Sequence, residues 1–263
     1  MKALLTHFLL LLSIVVHAQT VIPVGHAHND YKQRYPLDAA LSFGFTSIEV
    51  DVFLVDREIK VAHTKIGLPF AKNLKDLYLD PIKERLDNQS AGIYGDSSIL
   101  VLMIDLKNNH WELLDMLENL LQDYEHLLVH HQQGELSWAP LQILVSGGPP
   151  IQWINTQKNG FIFADWPLKD LYNKADRSSY CMRRSARWSD YFEWNGKGPI
   201  SKEELVLLEK LTAETHSIGQ KVRFWSIPET EACWSLLLKN EVDWINVDAL
   251  EEFALYYRSN HVK

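Results

Sequence analysis

Ile48-Glu49-Val50-Asp51-Val52, preceded by Gly25-His26-Ala27-His28-Asn29-Asp30 and followed by Val61-Ala62-His63, is the part of the chain from which the rest is read. Side chains alternate along a strand, so Glu49 and Asp51 share one face while Ile48, Val50 and Val52 occupy the other. The apolar face needs a cover, and the other face brings two carboxylates together. Two adjacent negative charges inside a fold are costly unless something neutralises them, and a hard divalent cation with oxygen ligands is the usual solution. Glu49 and Asp51 are therefore expected to ligate Mg2+ or Ca2+.

Working outward, short β-branched or apolar runs alternate with stretches of helical period, the pattern of βα units and a parallel sheet. Strands are expected over 21–25, 45–54, 59–62, 99–104, 141–145, 160–164, 179–182, 222–225 and 244–247. The run 99–104 is apolar throughout, as in a strand covered on both faces. Helices are expected over 36–43, 111–124 and 202–216, the second with Leu113, Leu114, Leu117, Leu120 and Leu121 at three- and four-residue steps. Segment 70–98 reads as a helix plus a surface excursion. Residues 19–263 match the roughly 250 typical of one (β/α)8 TIM barrel, which is the fold expected, as a single domain.

Barrel enzymes place their sites at the carboxyl ends of the strands. Asp105 stands there after the most hydrophobic strand, as a third candidate metal ligand, and Lys107 shares its face two residues on. A lysine at that point would stabilise charge on a phosphoryl oxygen during bond breaking. His26 and His63 each close a strand, and histidine suits both the removal and the delivery of a proton near neutral pH. They are the expected acid/base pair. His28 and Asn29, on the turn after the first strand, and Trp225, ending a late one, are the candidate substrate contacts. The cluster His126, His130 and His131 reads as a solvated loop, and Ser146-Gly147-Gly148-Pro149-Pro150 as a tight loop after a strand.

At the amino end, Lys2 precedes the apolar run 8–16 and then His17-Ala18, which reads as a secretory signal peptide cut after Ala18. The run is too short for the roughly 20 residues of a membrane span. An exported protein, secreted or periplasmic, without a transmembrane anchor is expected. The chain has 26 basic and 34 acidic residues, a formal charge of −8, and no basic run, which argues against a nucleic-acid partner. Cys181 and Cys233 are expected to be separate buried thiols rather than a disulfide.

These residues resemble the superfamily of phosphatidylinositol-specific phospholipases C and glycerophosphodiester phosphodiesterases. Within it, His-Ala-His-Asn-Asp-Tyr at 26–31 and Phe-Glu-Trp-Asn-Gly-Lys-Gly at 192–198 are most similar to the branch of altered inheritance of mitochondria protein 6. The resemblance implies that His26 and His63 are the catalytic histidines and that Glu49, Asp51 and Asp105 are the ligands of one divalent cation. It also implies that Lys107 meets the phosphate and that Trp225 lines the pocket. The activity implied is metal-dependent hydrolysis of a small-molecule or lipid phosphodiester. Two rival readings follow from the same residues. His26-x-His28 is also similar to the first-strand pair of zinc-dependent amidohydrolase barrels, and the other rival is an exported barrel that recognises phosphorylated head groups without cleaving them.

Overall fold

The computed structural model describes residues 20–89, 91–132, 135–172 and 179–261. The expected signal peptide lies outside them. Eight parallel strands close on themselves in the order β1 (Ile22–Ala27), β2 (Phe45–Val55), β4 (Leu100–Leu106), β7 (Leu141–Ser146), β8 (Ile162–Pro167), β9 (Cys181–Arg187), β10 (Lys221–Trp225) and β11 (Trp244–Val247). The last pairs back to the first, with His26 beside Asn246 on one side and Ser47 on the other. Strand β3 (Glu58–Val61) is an antiparallel flap on β2, and β5 (His130–Gln132) pairs with β6 (Glu135–Ser137) in a hairpin outside the barrel. The fold is a (β/α)8 barrel.

Helices α1 (Asp38–Phe43), α2 (Asp80–Asp87), α3 (His110–Leu121), α4 (Ile151–Ile154), α5 (Lys202–Ser217), α6 (Glu231–Lys239) and α7 (Leu250–His261) surround the strands. They cover outward-facing residues such as Ile48, Val50, Leu102, Ile104 and Phe224, all fully buried. Two of the helices start on side-chain caps. Ser201 Oγ accepts from Glu204 N at the head of α5, and Thr230 Oγ1 accepts from Cys233 N at the head of α6.

Inside the barrel, Val101, Met103, Leu144, Phe163 and Trp244 form an apolar layer near the amino ends of the strands. Charged groups lie above it. A barrel interior is a packed core rather than a pore, so these charges must satisfy one another.

Several boundaries differ from the sequence reading. The expected strand 179–182 runs on to Arg187, because Arg183 and Arg184 are both fully buried and hide it from an apolar search. The helix expected over 111–124 ends at Leu121 and tightens into a 3-10 turn, Gln122–Leu127. Helices α6 and α7 went unread in the sequence, as did the β5–β6 hairpin, on which His130 and His131 sit; His126 instead pairs with Asp87 on the surface. No disulfide joins Cys181 and Cys233, both buried. No helix among the described residues is long and apolar enough to cross a membrane.

Candidate active site

The carboxyl ends of the strands open into a cavity of about 720 Å3. Residues 58–61 fold back antiparallel on β2, pairing Val61 with Val52, and Ala62 N donates to Asp51 O at 3.1 Å. That turn sets His63 against Asp51. Its Nδ1 is 2.7 Å from Asp51 Oδ2 and 3.2 Å from Tyr31 Oη, whereas Nε2 has no partner among the described residues. The His63 side chain is half exposed and Asp51 is buried.

On the same side of the cavity His28 is held in the same manner, with Nδ1 2.8 Å from Asp248 Oδ1. Asp248 is fixed in turn through Glu229, whose carboxylate accepts from the backbone N–H groups of Asp248 and Ala249. Asn29, in the left-handed region at φ 50°, connects the two histidines. With its carboxamide oxygen 2.9 Å from His28 Nε2, its nitrogen donates to Tyr31 Oη at 2.8 Å. Tyr31 then donates to Asp51 Oδ2 at 2.7 Å.

Burial works against a charged His28, but its hydrogen bond to Asp248 and the Glu49 charge outweigh it and raise its pKa above the ordinary imidazole value. Lys107 Nζ lies between Asp105 Oδ2 and Asp51 Oδ1, 3.2 Å from the latter. Burial lowers the lysine's pKa, yet Asp105 and then Asp51 raise it further, so it stays charged. Burial also dominates at Asp105 and raises its pKa despite Lys107. Ser146 donates to Asp105 Oδ1 at 2.7 Å. The loop after β7 crowds that carboxylate from above: Gly147 has φ +80°, and a Cβ there would stand 2.4 Å from Leu106 O.

His26 occupies a different place from the one the sequence suggests. It is 0% exposed and does not line the cavity. Both ring nitrogens are engaged below the floor, Nδ1 with Ser47 Oγ at 2.7 Å and Nε2 with Glu49 Oε2 at 2.8 Å and Arg223 Nη1 at 2.5 Å. Burial, and then the Arg223 charge, push its pKa well below the usual imidazole value. A neutral, fully engaged imidazole has no route to a reacting atom. Glu49 faces up from the same cluster. Burial favours its neutral form, but Arg223 foremost and His26 outweigh burial and keep it ionised.

The three carboxylates do line one cavity, and Asp51 and Asp105 are register partners on β2 and β4. Two cations are interleaved with them. Lys107 stands between Asp51 and Asp105, and Arg223 donates to Glu49 at 2.6 Å. Among the described residues no three His, Cys, Asp or Glu side chains stand together at coordination distance as they are. Glu49 Oε1 faces His28 Nε2 at 4.0 Å and accepts no hydrogen bond among the described residues.

The opposite wall, from β8, β9 and β10, is of another kind. Trp166, Leu168, Tyr191 and Trp225 supply flat apolar surface, with Lys169 and Arg187 at the edge. Trp225 is 38% exposed, and the Arg187 guanidinium sits 5.7 Å from its ring centre. Among the described residues no group of three His, Cys, Asp or Glu is set to hold zinc beside His28, and the later histidines stand elsewhere: His110 Nδ1 lies against Gly148 O and His216 Nε2 against Asp243.

Tyr31, Arg223, Asp165 and Asp248 escaped assignment in the sequence. Tyr31 belongs to the quoted His-Ala-His-Asn-Asp-Tyr run. Arg223 lies two residues before Trp225 on one strand face, the same spacing that singles out Lys107 beside Asp105.

Comparison with known proteins agrees with this architecture. The model of the AIM6-like phosphodiesterase domain matches residues 16–165, more than half of the chain. An altered inheritance of mitochondria protein 6 homolog from Arthroderma benhamiae is 28% identical over 246 residues, covering 84% of this chain and 76% of that one. Altered inheritance of mitochondria protein 6 of Kluyveromyces lactis is 27% identical over 306 residues, covering 89% and 72%. Among solved structures, a glycerophosphodiester phosphodiesterase from Parabacteroides distasonis superposes with a TM-score of 0.54 at 11% identity, covering 91% of this chain and 96% of that one. An Oleispira antarctica phosphodiesterase in complex with the product sn-glycerol-3-phosphate gives 0.53 at 13% identity, covering 89% and 96%. The fold is thus shared with phosphodiesterase barrels, and the chain belongs to the AIM6-like phosphodiesterase domain family.

Proposed function

We propose that the protein hydrolyses phosphodiesters, with His63 and His28 as the proton-transfer pair. The observation that carries this reading is the presence, on one cavity, of two imidazoles each backed by a carboxylate, with a charged lysine on the same Asp51 that holds one of them. Asp51 orients the His63 ring through Nδ1, leaving Nε2 to take a proton from the attacking hydroxyl. The P–O bond to that oxygen forms as the bond to the leaving alcohol breaks. His28, whose pKa Asp248 and Glu49 raise against burial, gives its Nε2 proton to the departing oxygen once substrate displaces the Asn29 carboxamide. Lys107 offsets charge on the phosphoryl oxygens.

The carboxylates suit a hard cation. Their donors are oxygen only, they lie on neighbouring strands, and Glu49 Oε1 is open to the cavity. Glu49, Asp51 and Asp105 would hold a Mg2+ or Ca2+ ion, with Lys107 moving aside from the latter two. Such an ion supplies Lewis-acid polarisation of a phosphoryl oxygen.

The test is turnover of a chromogenic phosphodiester, then of glycerophosphodiesters, lysophospholipids and inositol phospholipids, in EDTA and in Mg2+ or Ca2+. Glycerophosphodiesters come first because a structural neighbour was captured with sn-glycerol-3-phosphate. Turnover that disappears in both His63→Ala and His28→Ala supports the assignment. Binding of phosphorylated head groups without turnover of any substrate would leave the non-cleaving barrel as the better account.

A further inference from the structure

Arg223 is the largest charged group on the cavity floor that the reaction above does not use. It is 4% exposed, yet it lines the cavity. Its neighbours come from four strands. Nη1 meets Glu49 Oε2 at 2.6 Å, His26 Nε2 at 2.5 Å and Asn246 Oδ1 at 3.1 Å, and Nε donates to Ser185 Oγ at 3.3 Å. Ser185 is anchored in turn, donating to Asp165 Oδ2 at 2.7 Å. The guanidinium plane is thereby fixed. Nη2, by contrast, has no hydrogen-bond partner among the described residues.

If Arg223 served only to neutralise Glu49, Nη1 would suffice. Neither its seat at the cavity surface nor a spare pair of N–H donors would follow. Lys107 differs on this point, because its one ammonium is already shared between Asp51 and Asp105. Arg223 answers a single carboxylate and has donors left over. A planar guanidinium held on one edge and open on the other is suited to a phosphoryl oxygen, and a rigid one needs no reorganisation as charge develops.

We infer that Arg223 is a further catalytic residue, presenting Nη2 to a phosphoryl oxygen of the substrate while Glu49, Asn246 and Ser185 hold it in place. The inference rests on the phosphodiester reading for its substrate, but anion binding tests it separately. His26 then acts as a positioning residue beneath this cation.

The experiment uses the full chain in EDTA and measures calorimetric binding of sn-glycerol 3-phosphate by wild type, Arg223→Lys and Arg223→Ala, with melting curves to verify folding. Wild type should bind, both variants should lose at least tenfold in affinity, and added guanidinium should restore part of it in Arg223→Ala. Chromogenic phosphodiester turnover should fall in kcat more than it rises in KM. Folded variants that bind as wild type does would overturn the assignment, as would a wild type that binds no phosphate ester. Should both variants fail to fold, a crystal of wild type soaked with vanadate decides: the anion within hydrogen-bond reach of Nη2 supports the role, and an anion seated away from it refutes it. Arg223-dependent binding without diester turnover would keep the contact of Nη2 with a phosphoryl oxygen and overturn both its catalytic role and the hydrolase reading. Undiminished turnover in Arg223→Lys would overturn the inference and keep the hydrolase reading.

Discussion

On the side of the cavity formed by β1 to β4, polar side chains are already paired with one another: His63 with Asp51, Lys107 with Asp51 and Asp105, and His28 with Asp248 from the adjoining β11 end. On the side formed by β8 to β10, Trp166, Tyr191 and Trp225 present flat surface, and Arg187 and Lys169 make no ion pair among the described residues. The first side is built to hold proton positions constant. The second offers area and unspent charge. This difference assigns bond breaking to one wall and grip on the rest of the substrate to the other, and each assignment predicts a different kinetic signature.

The largest effect is expected at the paired wall. His63→Ala or His28→Ala should lower kcat by about 10²- to 10⁴-fold, the weight of one general acid or base, with the melting temperature nearly unchanged. His26→Ala, only two residues from His28, should instead cost about 1–3 kcal/mol of stability, because Glu49 and Ser47 lose a buried partner. Thermal melts beside steady-state kinetics would check both. An intact fold with normal turnover in His28→Ala, and abolished turnover in a stable His26→Ala, would return the proton-transfer role to His26.

Next comes Lys107, which stands where a cation would meet Asp51 and Asp105. Lys107→Met should tighten Mg2+ or Ca2+ binding roughly tenfold by calorimetry, or about 1.4 kcal/mol, while turnover falls. Unchanged cation affinity would mean that ion and ammonium do not compete for the same oxygens. A smaller effect belongs to the flat wall. Trp225→Ala should raise KM about 3- to 30-fold, corresponding to an aromatic contact of roughly 0.5–2 kcal/mol, with little change in kcat. If kcat fell as much as kcat/KM, the division of labour between the walls would be wrong.

The paired wall was also the more legible one in the sequence. Alternation on β2 and β4 puts Glu49, Asp51, Asp105 and Lys107 on the interior face, and a two-residue period needs no tertiary information to read. The barrel strands were marked by apolar runs whose outward residues lie under helices, while their order is shown by the structure. His26 shows the limit of such reading. Strand phase places it on the inner face, but how deep it sits depends on Arg223, which lies 197 residues away and comes from the strand beyond β11. Arg183 and Arg184 illustrate the same point, since a fully buried arginine contradicts the polarity signal by which strands are found. Tyr31 and Asp248 act through contacts with Asp51, His63 and His28 that only the closed ring brings within reach.

The smallest expected effect concerns the loop that carries Asn29 and Tyr31. Asp30 is fully buried beneath it, accepting from Leu37 N at 2.6 Å and Tyr78 Oη at 2.8 Å through Oδ2, while Oδ1 has no partner. Burial pushes its pKa up to about 6, against the two hydrogen bonds that lower it. Because the folded value lies above the unfolded one, the carboxyl's contribution to stability is complete below about pH 4 and is lost as pH rises through 6. The loss is at most about 3 kcal/mol. Asp30→Asn keeps an acceptor for Leu37 and Tyr78 and cannot ionise, so it imitates the protonated residue at every pH. Its melting temperature should match wild type near pH 4 and exceed it near pH 8, with the gap opening between pH 4 and 7. A gap that stays constant across that range would show that Asp30 titrates alike in the folded and unfolded chain, and the loop behind His28 would then owe its position to Tyr31 and Asn29 alone.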